Sequence, residues 1–141
     1  MLEALRRICY EGGCLVGVEY ALFEGSDNFV TAIALHFQGF SAVFKAVEED
    51  DTLSVTVGPL IPELNDIVKS ATDSECWPRC IGLSVQWAWL LTNQQGYSDG
   101  VRLEFHSPKE RTCIVEMIVS ASAIRLCSLT SEHTPGSRSP N

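Results

Sequence analysis

Twice along this chain apolar and polar residues alternate one for one, and that rhythm limits what the chain can fold into. The first stretch runs from 14 to 57, the second from 81 to 129. A period of two puts successive side chains on opposite faces of an extended strand, so each stretch reads as strands with a buried face. In the first, Leu53, Val55 and Val57 face one way while Thr52, Ser54 and Thr56 face the other. Turn residues interrupt it at Gly25-Ser26-Asp27-Asn28, at Gln38-Gly39 and at the acidic run Glu48-Glu49-Asp50-Asp51. The spacing predicts strands over 14–24, 29–37, 40–47 and 52–57, an antiparallel meander with short polar turns. The second and third are apolar on both faces and should be covered on both.

The second stretch predicts strands over 81–92, 101–106 and 112–129. The last is too long for one straight strand, so a bulge or bend is expected at Ser120-Ala121-Ser122. In the strand over 81–92, Ile81, Leu83, Val85, Trp87, Trp89 and Leu91 share one phase, which places both indoles in the core. Between the stretches, Pro59 and Pro62 bracket a turn. Leu64, Ile67, Val68 and Ala71 then follow at helical spacing, and the pattern predicts a helix over 62–71 with Pro62 in its first turn. Residues 1–10 form another short amphipathic segment, with Leu2, Leu5 and Ile8 on one side, stopped by Gly12-Gly13. Trp77-Pro78 reads as a linker packed by its indole.

The expected fold is α+β and mainly β. About seven antiparallel strands form two meanders, as a bent sheet or a partly open barrel, with one or two short helices. A chain of 141 residues suits one domain, assigned to 1–129. The polar run 130–141, with two Pro, one Gly and three Ser, reads as a disordered tail.

Charge narrows the function. There are 10 basic and 18 acidic residues, a net charge of −8, and nucleic-acid binders instead carry basic stripes that displace phosphate counterions. No apolar run approaches the roughly 20 residues that span a bilayer, and Glu11-Gly12-Gly13 interrupts any leader-like segment. The expectation is a cytoplasmic domain that meets neither nucleic acid nor membrane. Six cysteines occur, and in a reducing compartment they are expected as thiols. Cys113 and Cys127 sit in apolar runs and read as small core residues. Cys76 and Cys80, with Cys9 and Cys14, are conceivable as a four-cysteine zinc site, but neither spacing is that of a zinc knuckle. No metal and no cofactor is expected.

The most polar turn in the chain is Thr92-Asn93-Gln94-Gln95-Gly96-Tyr97-Ser98-Asp99-Gly100, between two strands. Rigid strands that present such a loop commonly use it for binding. Asn93, Gln94, Gln95, Tyr97 and Asp99 are therefore the candidate binding residues, the amides offering paired donors and acceptors. The same residues have a structural use. Asn93 and Asp99 can cap the loop's own amides, and Gly96 and Gly100 can supply positive φ. A cleft lined by Trp87 or Trp89 with Tyr97 and Asp99 is the alternative site. His106 with Asp99 could form a base pair, but no recognisable motif supplies a nucleophile, and His36 is a lone strand histidine. Glu104 and Glu116 lie on adjacent strands, where paired carboxylates can serve acid–base chemistry. No catalytic residue is assigned.

The run Trp87-Ala88-Trp89-Leu90-Leu91-Thr92-Asn93-Gln94-Gln95-Gly96-Tyr97-Ser98-Asp99-Gly100-Val101-Arg102-Leu103-Glu104-Phe105, with Ile81-Gly82 before it and Ser120-Ala121-Ser122-Ala123-Ile124 after it, resembles a small bacterial family. That family is the domain of unknown function 6334, and the likeness is specific over about 77–129. It implies a compact single domain and brings no activity, cofactor or catalytic residue. In size and charge the chain is also similar to the immunity proteins of contact-dependent toxins, a likeness of class and not of motif. The functional expectation is a non-enzymatic module that binds a protein partner through the 93–99 loop, the acidic surface suiting a basic partner. The alternative is a small-molecule-binding or hydrolytic domain built on the Trp87/Trp89, Tyr97 and Asp99 cleft.

Overall fold

The computed structural model describes residues 1–109 and 111–132. Among these residues nine strands form two antiparallel sheets, one of five and one of four. In the first sheet, β1 (Leu15–Phe23), β2 (Val30–Phe37), β3 (Ser41–Val47), β4 (Thr52–Val57) and β5 (Asp66–Ser70) lie in the order β4-β3-β2-β1-β5. In the second, β6 (Ser84–Thr92), β7 (Ser98–His106), β8 (Arg111–Ser120) and β9 (Ala123–Glu132) lie in sequence order. Of two short helices, α1 (Leu2–Glu11) precedes β1 and α2 (Trp77–Cys80) lies in the link from β5 to β6. Fold class and the four-strand opening meander are as the alternation predicts.

The two sheets bury their inner faces against each other, β4 over β7 and β2 over β9. Val18, Tyr20, Leu22, Ile33, Leu35, Phe44, Leu53 and Val55 meet Val85, Val101, Leu103, Phe105, Val115 and Met117 in one core. Full burial of such a side chain contributes about 1.5–3 kcal/mol. At one corner the sheets are stitched together. Leu15 N donates to Leu83 O at 2.9 Å and Gly82 N to Leu15 O at 2.8 Å. The free side of β1 is thus shared, its start bonding the lead-in to β6 and its second half pairing with β5. Helix α1 packs Leu5 and Ile8 against this core, chiefly beside β6.

The helix expected over 62–71 does not form. Residues 58–63 instead cross the outer face of the first sheet as an irregular strap, 64–65 turn, and 66–70 become β5, the partner of β1. Pro59 and Pro62 suit a strap, since each lacks an N–H and fixes an extended φ. The sheet beneath is floored by Ala21, Ala32, Ala34 and Val43, small enough for Leu60 to lie on them. This covers the second apolar face of β2 and β3. Leu64, one of the four residues at helical spacing, is 96% exposed. The deciding fact is long-range: β1 has an unpaired side, and pairing Ile67 and Val68 there satisfies backbone groups that a helix would leave open.

The long strand over 112–129 is two strands. Ala121 and Ser122, both at positive φ (52° and 67°), make a tight hairpin turn between β8 and β9. Strand β9 runs to Glu132, so 130–132 of the expected tail pair with β8; 133–141 lie outside the described residues.

Trp77 is fully buried in the link between the sheets. Its Nε1–H donates to the Tyr20 hydroxyl at 2.6 Å, which donates in turn to Glu75 Oε1 at 2.9 Å. Burial, with Glu75 adding, pushes the Tyr20 phenol well above its ordinary range, against the lowering effect of the Trp77 bond.

Candidate functional site

The outer face of the second sheet carries the most distinctive chemistry on the surface. Strand β6 makes it so through a bulge. Val85 pairs with Phe105 and Trp87 with Glu104, which leaves Gln86 as the extra residue. The bulge shifts the alternation by one. Val85 stays in the core and Ala88 and Leu90 pack against it, while Trp87 and Trp89 turn outward, 55% and 43% exposed. The expectation that both indoles are core residues is thereby corrected.

Register then builds two rows across the sheet. Trp87, Glu104, Ile114 and Leu129 lie opposite one another in the first, and Trp89, Arg102, Glu116 and Cys127 in the second. The Arg102 guanidinium stacks 5.3 Å from the Trp89 ring centroid and lies 4.0 Å from Glu116. Glu104 and Glu116 are not opposed to each other; Glu116 faces Arg102, and Glu104 is 3.6 Å from His106 Nε2. Neither Arg102 Nε nor His106 Nε2 has a hydrogen-bond partner among the described residues. Cys127, expected in the core, is exposed on this face. Arg102 and Arg125 balance Glu104 and Glu116, so the face is close to neutral on a chain of charge −8.

The 93–99 segment borders this face where β6 ends and β7 begins; only 93–97 is loop, because Ser98 and Asp99 open β7 ahead of the expected start at 101, and the turn is tied to itself. Asn93 Oδ1 accepts from Gln95 N at 2.9 Å and from Tyr97 N at 3.2 Å. Asn93 N donates to Tyr97 O and Gly96 N to Asn93 O. Asp99 takes the Asn93 amide at 3.4 Å. Gly96 has positive φ, as expected, whereas Gly100 does not. Gly100 is needed for space, because a Cβ there would lie 2.7 Å from Met117 O. Gln94, Gln95 and Tyr97 are exposed. Asn93 and Asp99 therefore shape the loop, while the two Gln side chains and Tyr97 are the part available to a partner.

The expected Asp99–His106 pair does not form, and neither of the two hollows described below is lined by Asp99. Asp99 and His106 sit seven residues apart on β7, about 23 Å at strand rise. Two hollows lie elsewhere. An open cavity of about 650 Å³ sits under the strap, with Phe23, Phe29, Thr31, Glu48, Glu63 and Asp66 among its lining. Its polar groups are largely spent on each other. Thr31 Oγ1 donates to Asp66 Oδ2 at 2.8 Å, and Lys45 pairs with Glu63 and holds that carboxyl below its usual range. A shallower groove of about 250 Å³ runs between α1 and β6, past Leu2, Arg6, Tyr10 and Trp87, and extends the aromatic face around the edge of the sheet.

One constellation escaped sequence reasoning. His36 Nε2 lies 2.7 Å from Glu19 Oε1 and Nδ1 2.6 Å from Ser41 Oγ, on the outer face of the first sheet. The order acid–imidazole–hydroxyl is that of a hydrolase. Its setting is not. Ser41 sits in a strand paired on both sides, so its neighbouring backbone N–H groups are committed to ladders and cannot stabilise an oxyanion. Only strand pairing brings His36 opposite Ser41, and no local spacing signals it.

Fold and site together define a two-sheet antiparallel domain with an aromatic face that the described residues leave exposed. The chain belongs to the family of unknown function DUF6334, whose model matches residues 10–132. No curated protein and no solved structure matches it. Among the described residues no helix is long and apolar enough to cross a membrane.

Proposed function

We propose that the protein is a binding module, not a catalyst, and that it holds a protein partner against the outer face of its second sheet. Trp87 and Trp89 form the centre, with Gln94, Gln95 and Tyr97 at the rim. The observation that carries this reading is the Gln86 bulge, which turns two indoles out of the core on a rigid strand. Exposing both leaves apolar area in water, and burial against a partner recovers it. Tryptophan, tyrosine and arginine are also the side chains that most often anchor interfaces. The nearly neutral face implies recognition by shape and aromatic contact, while the −8 charge of the whole chain favours the approach of a basic partner.

The test is capture from the source organism followed by measured affinity for the captured protein. Trp87→Ala and Trp89→Ala should each weaken binding by on the order of tenfold or more, with the melting temperature unchanged. Affinity unchanged from wild type in both variants would overturn the reading.

A further inference from the structure

Three of the six cysteines converge where the two sheets are joined. Cys76 caps α2, Cys80 ends it, and Cys113 points inward from β8. The third neighbour of the Cys76–Cys80 pair is thus Cys113, from 33 residues further along the chain. Cys80 Sγ lies 3.0 Å from Cys113 Sγ. That is shorter than the roughly 3.5–4.0 Å at which even two smaller carbon atoms rest. Cys80 Sγ also points at Cys76 O, 3.6 Å away. Cys80 and Cys113 are wholly buried, and Cys76 is 7% exposed.

We infer that this cluster is a thiol-oxidation site, at which a hydroperoxide converts Cys80 and Cys113 to a disulfide and Cys76 is the thiol that meets the oxidant. Three features carry it. The Cys80–Cys113 sulfurs need approach by only about 1 Å to reach bonding distance, well within side-chain rotation. Cys76 is the least buried member of the cluster, 7% exposed where Cys80 and Cys113 are closed off. Its thiol is also held below its ordinary pKa by hydrogen bonding with Cys80, helped by Ser128 and opposed by burial, and the thiolate is the form that attacks. Cys80 goes the other way. Its bonds to Cys113 and Cys76, with burial, keep it protonated.

The chemistry balances in three steps. The Cys76 thiolate attacks the peroxide; an S–O bond forms, the O–O bond breaks, and the alkoxide leaves and takes up a proton as an alcohol. The Cys80 sulfur then attacks the Cys76 sulfenic acid; the S–S bond forms, the S–O bond breaks, and hydroxide leaves with the Cys80 proton as water. Cys113 finally displaces Cys76 from Cys80, and its proton passes to the departing thiolate. Two thiols lose two electrons in all, and the peroxide gains them. A metal is the competing occupant of three thiols. Two sulfurs on one tetrahedral zinc, each at about 2.3 Å, would stand about 3.7 Å apart. Among the described residues no group of three or more ligating side chains has a metal-holding arrangement.

The experiment treats the whole reduced chain with graded hydrogen peroxide while far-UV circular dichroism reports the fold. Thiols are then blocked and non-reduced peptides mapped by mass spectrometry. The expected product is a Cys80–Cys113 cross-link formed in the folded protein. Cys76→Ala should slow its formation at least tenfold, and Cys113→Ala should stop at a Cys76–Cys80 bond or a Cys76 sulfenic acid. Oxidation confined to the more accessible Cys9 and Cys127 would overturn the inference. So would a cross-link that appears only after unfolding, or stoichiometric zinc or copper that blocks all three thiols in protein as isolated.

Discussion

Three single residues test how the chain uses its buried and half-buried polar groups. Tyr20 satisfies the buried Trp77 indole N–H, so Tyr20→Phe leaves a donor with no acceptor and should cost about 1–3 kcal/mol in denaturant unfolding. The phenol also sets an alkaline limit. Its folded pKa is raised, so above the unfolded value of about 10 the unfolded state releases the proton first. Stability should therefore fall as pH rises beyond 10 in wild type, and Tyr20→Phe should flatten that fall; equal slopes would refute it. Asn93 was legible as a loop-shaping residue because Asx side chains bond amides two positions on, as it does with Gln95. Asn93→Ala should lower stability by about 0.5–2 kcal/mol, by analogy with lost helix caps. The Glu19–His36–Ser41 row was not legible, since only the β1–β2–β3 register creates it. If the row is structural, a fluorophosphonate probe leaves Ser41 unlabelled. Stoichiometric labelling lost in Ser41→Ala would instead make the protein a hydrolase.

At the scale of elements, what could be read was what is local. The alternation over 52–57 and the polar turns before it gave β1 to β4 nearly to the residue. Three elements were hidden. Strand β5 depends on the unpaired side of β1, tens of residues earlier, and the spacing of Leu64, Ile67, Val68 and Ala71 fits a helix by coincidence. The break at Ser120-Ala121-Ser122 was expected, but only as a bulge or bend; that it reverses the chain was hidden, because the β8–β9 turn lacks the Gly or Asn that marks such hairpins, and Ala121 and Ser122 carry its positive φ; Ser122 N is held by Asp51 Oδ1 at 2.8 Å. Ala121→Gly should relieve that strain and raise stability by about 0.5–1 kcal/mol, because the left-handed penalty of roughly 1–2 kcal/mol exceeds the added chain entropy. The third hidden element is the Gln86 bulge, which nothing in Ser84-Val85-Gln86-Trp87 announces. Deleting Gln86 should restore a regular ladder with Val85 inside and Trp87 and Trp89 still outside. Acrylamide should then quench both indoles as in wild type while Trp77 stays protected. Loss of that quenching would mean that the bulge does not set the phase.

Across the whole molecule, charge and aromatic surface are separated, and the separation has a kinetic consequence. The net charge is −8, yet the outer face of the second sheet carries Arg102 opposite Glu116, with Glu104 in the Trp87 row and Arg125 opposite Ile118 in the next row. The acidic run 48–51 stands on the other sheet, pinned through Asp51 to the β8–β9 turn at the end of the molecule that also holds the 93–99 loop. In the proposed binding, long-range attraction would come from the acidic run and the overall charge, and short-range holding from the indoles. Salt screens the first over about 8 Å at physiological strength and hardly touches the second. For a basic partner, Glu48→Lys with Glu49→Lys should slow association severalfold at low salt, lose that effect at high salt, and leave dissociation unchanged. Trp89→Ala should do the reverse, raising the dissociation rate by on the order of tenfold with little change in association. Surface-binding kinetics at two ionic strengths separate the two. If the lysine substitutions speed dissociation as much as Trp89→Ala does, the acidic run lies inside the contact, and the partner sits at the end of the molecule and not on the face of the sheet.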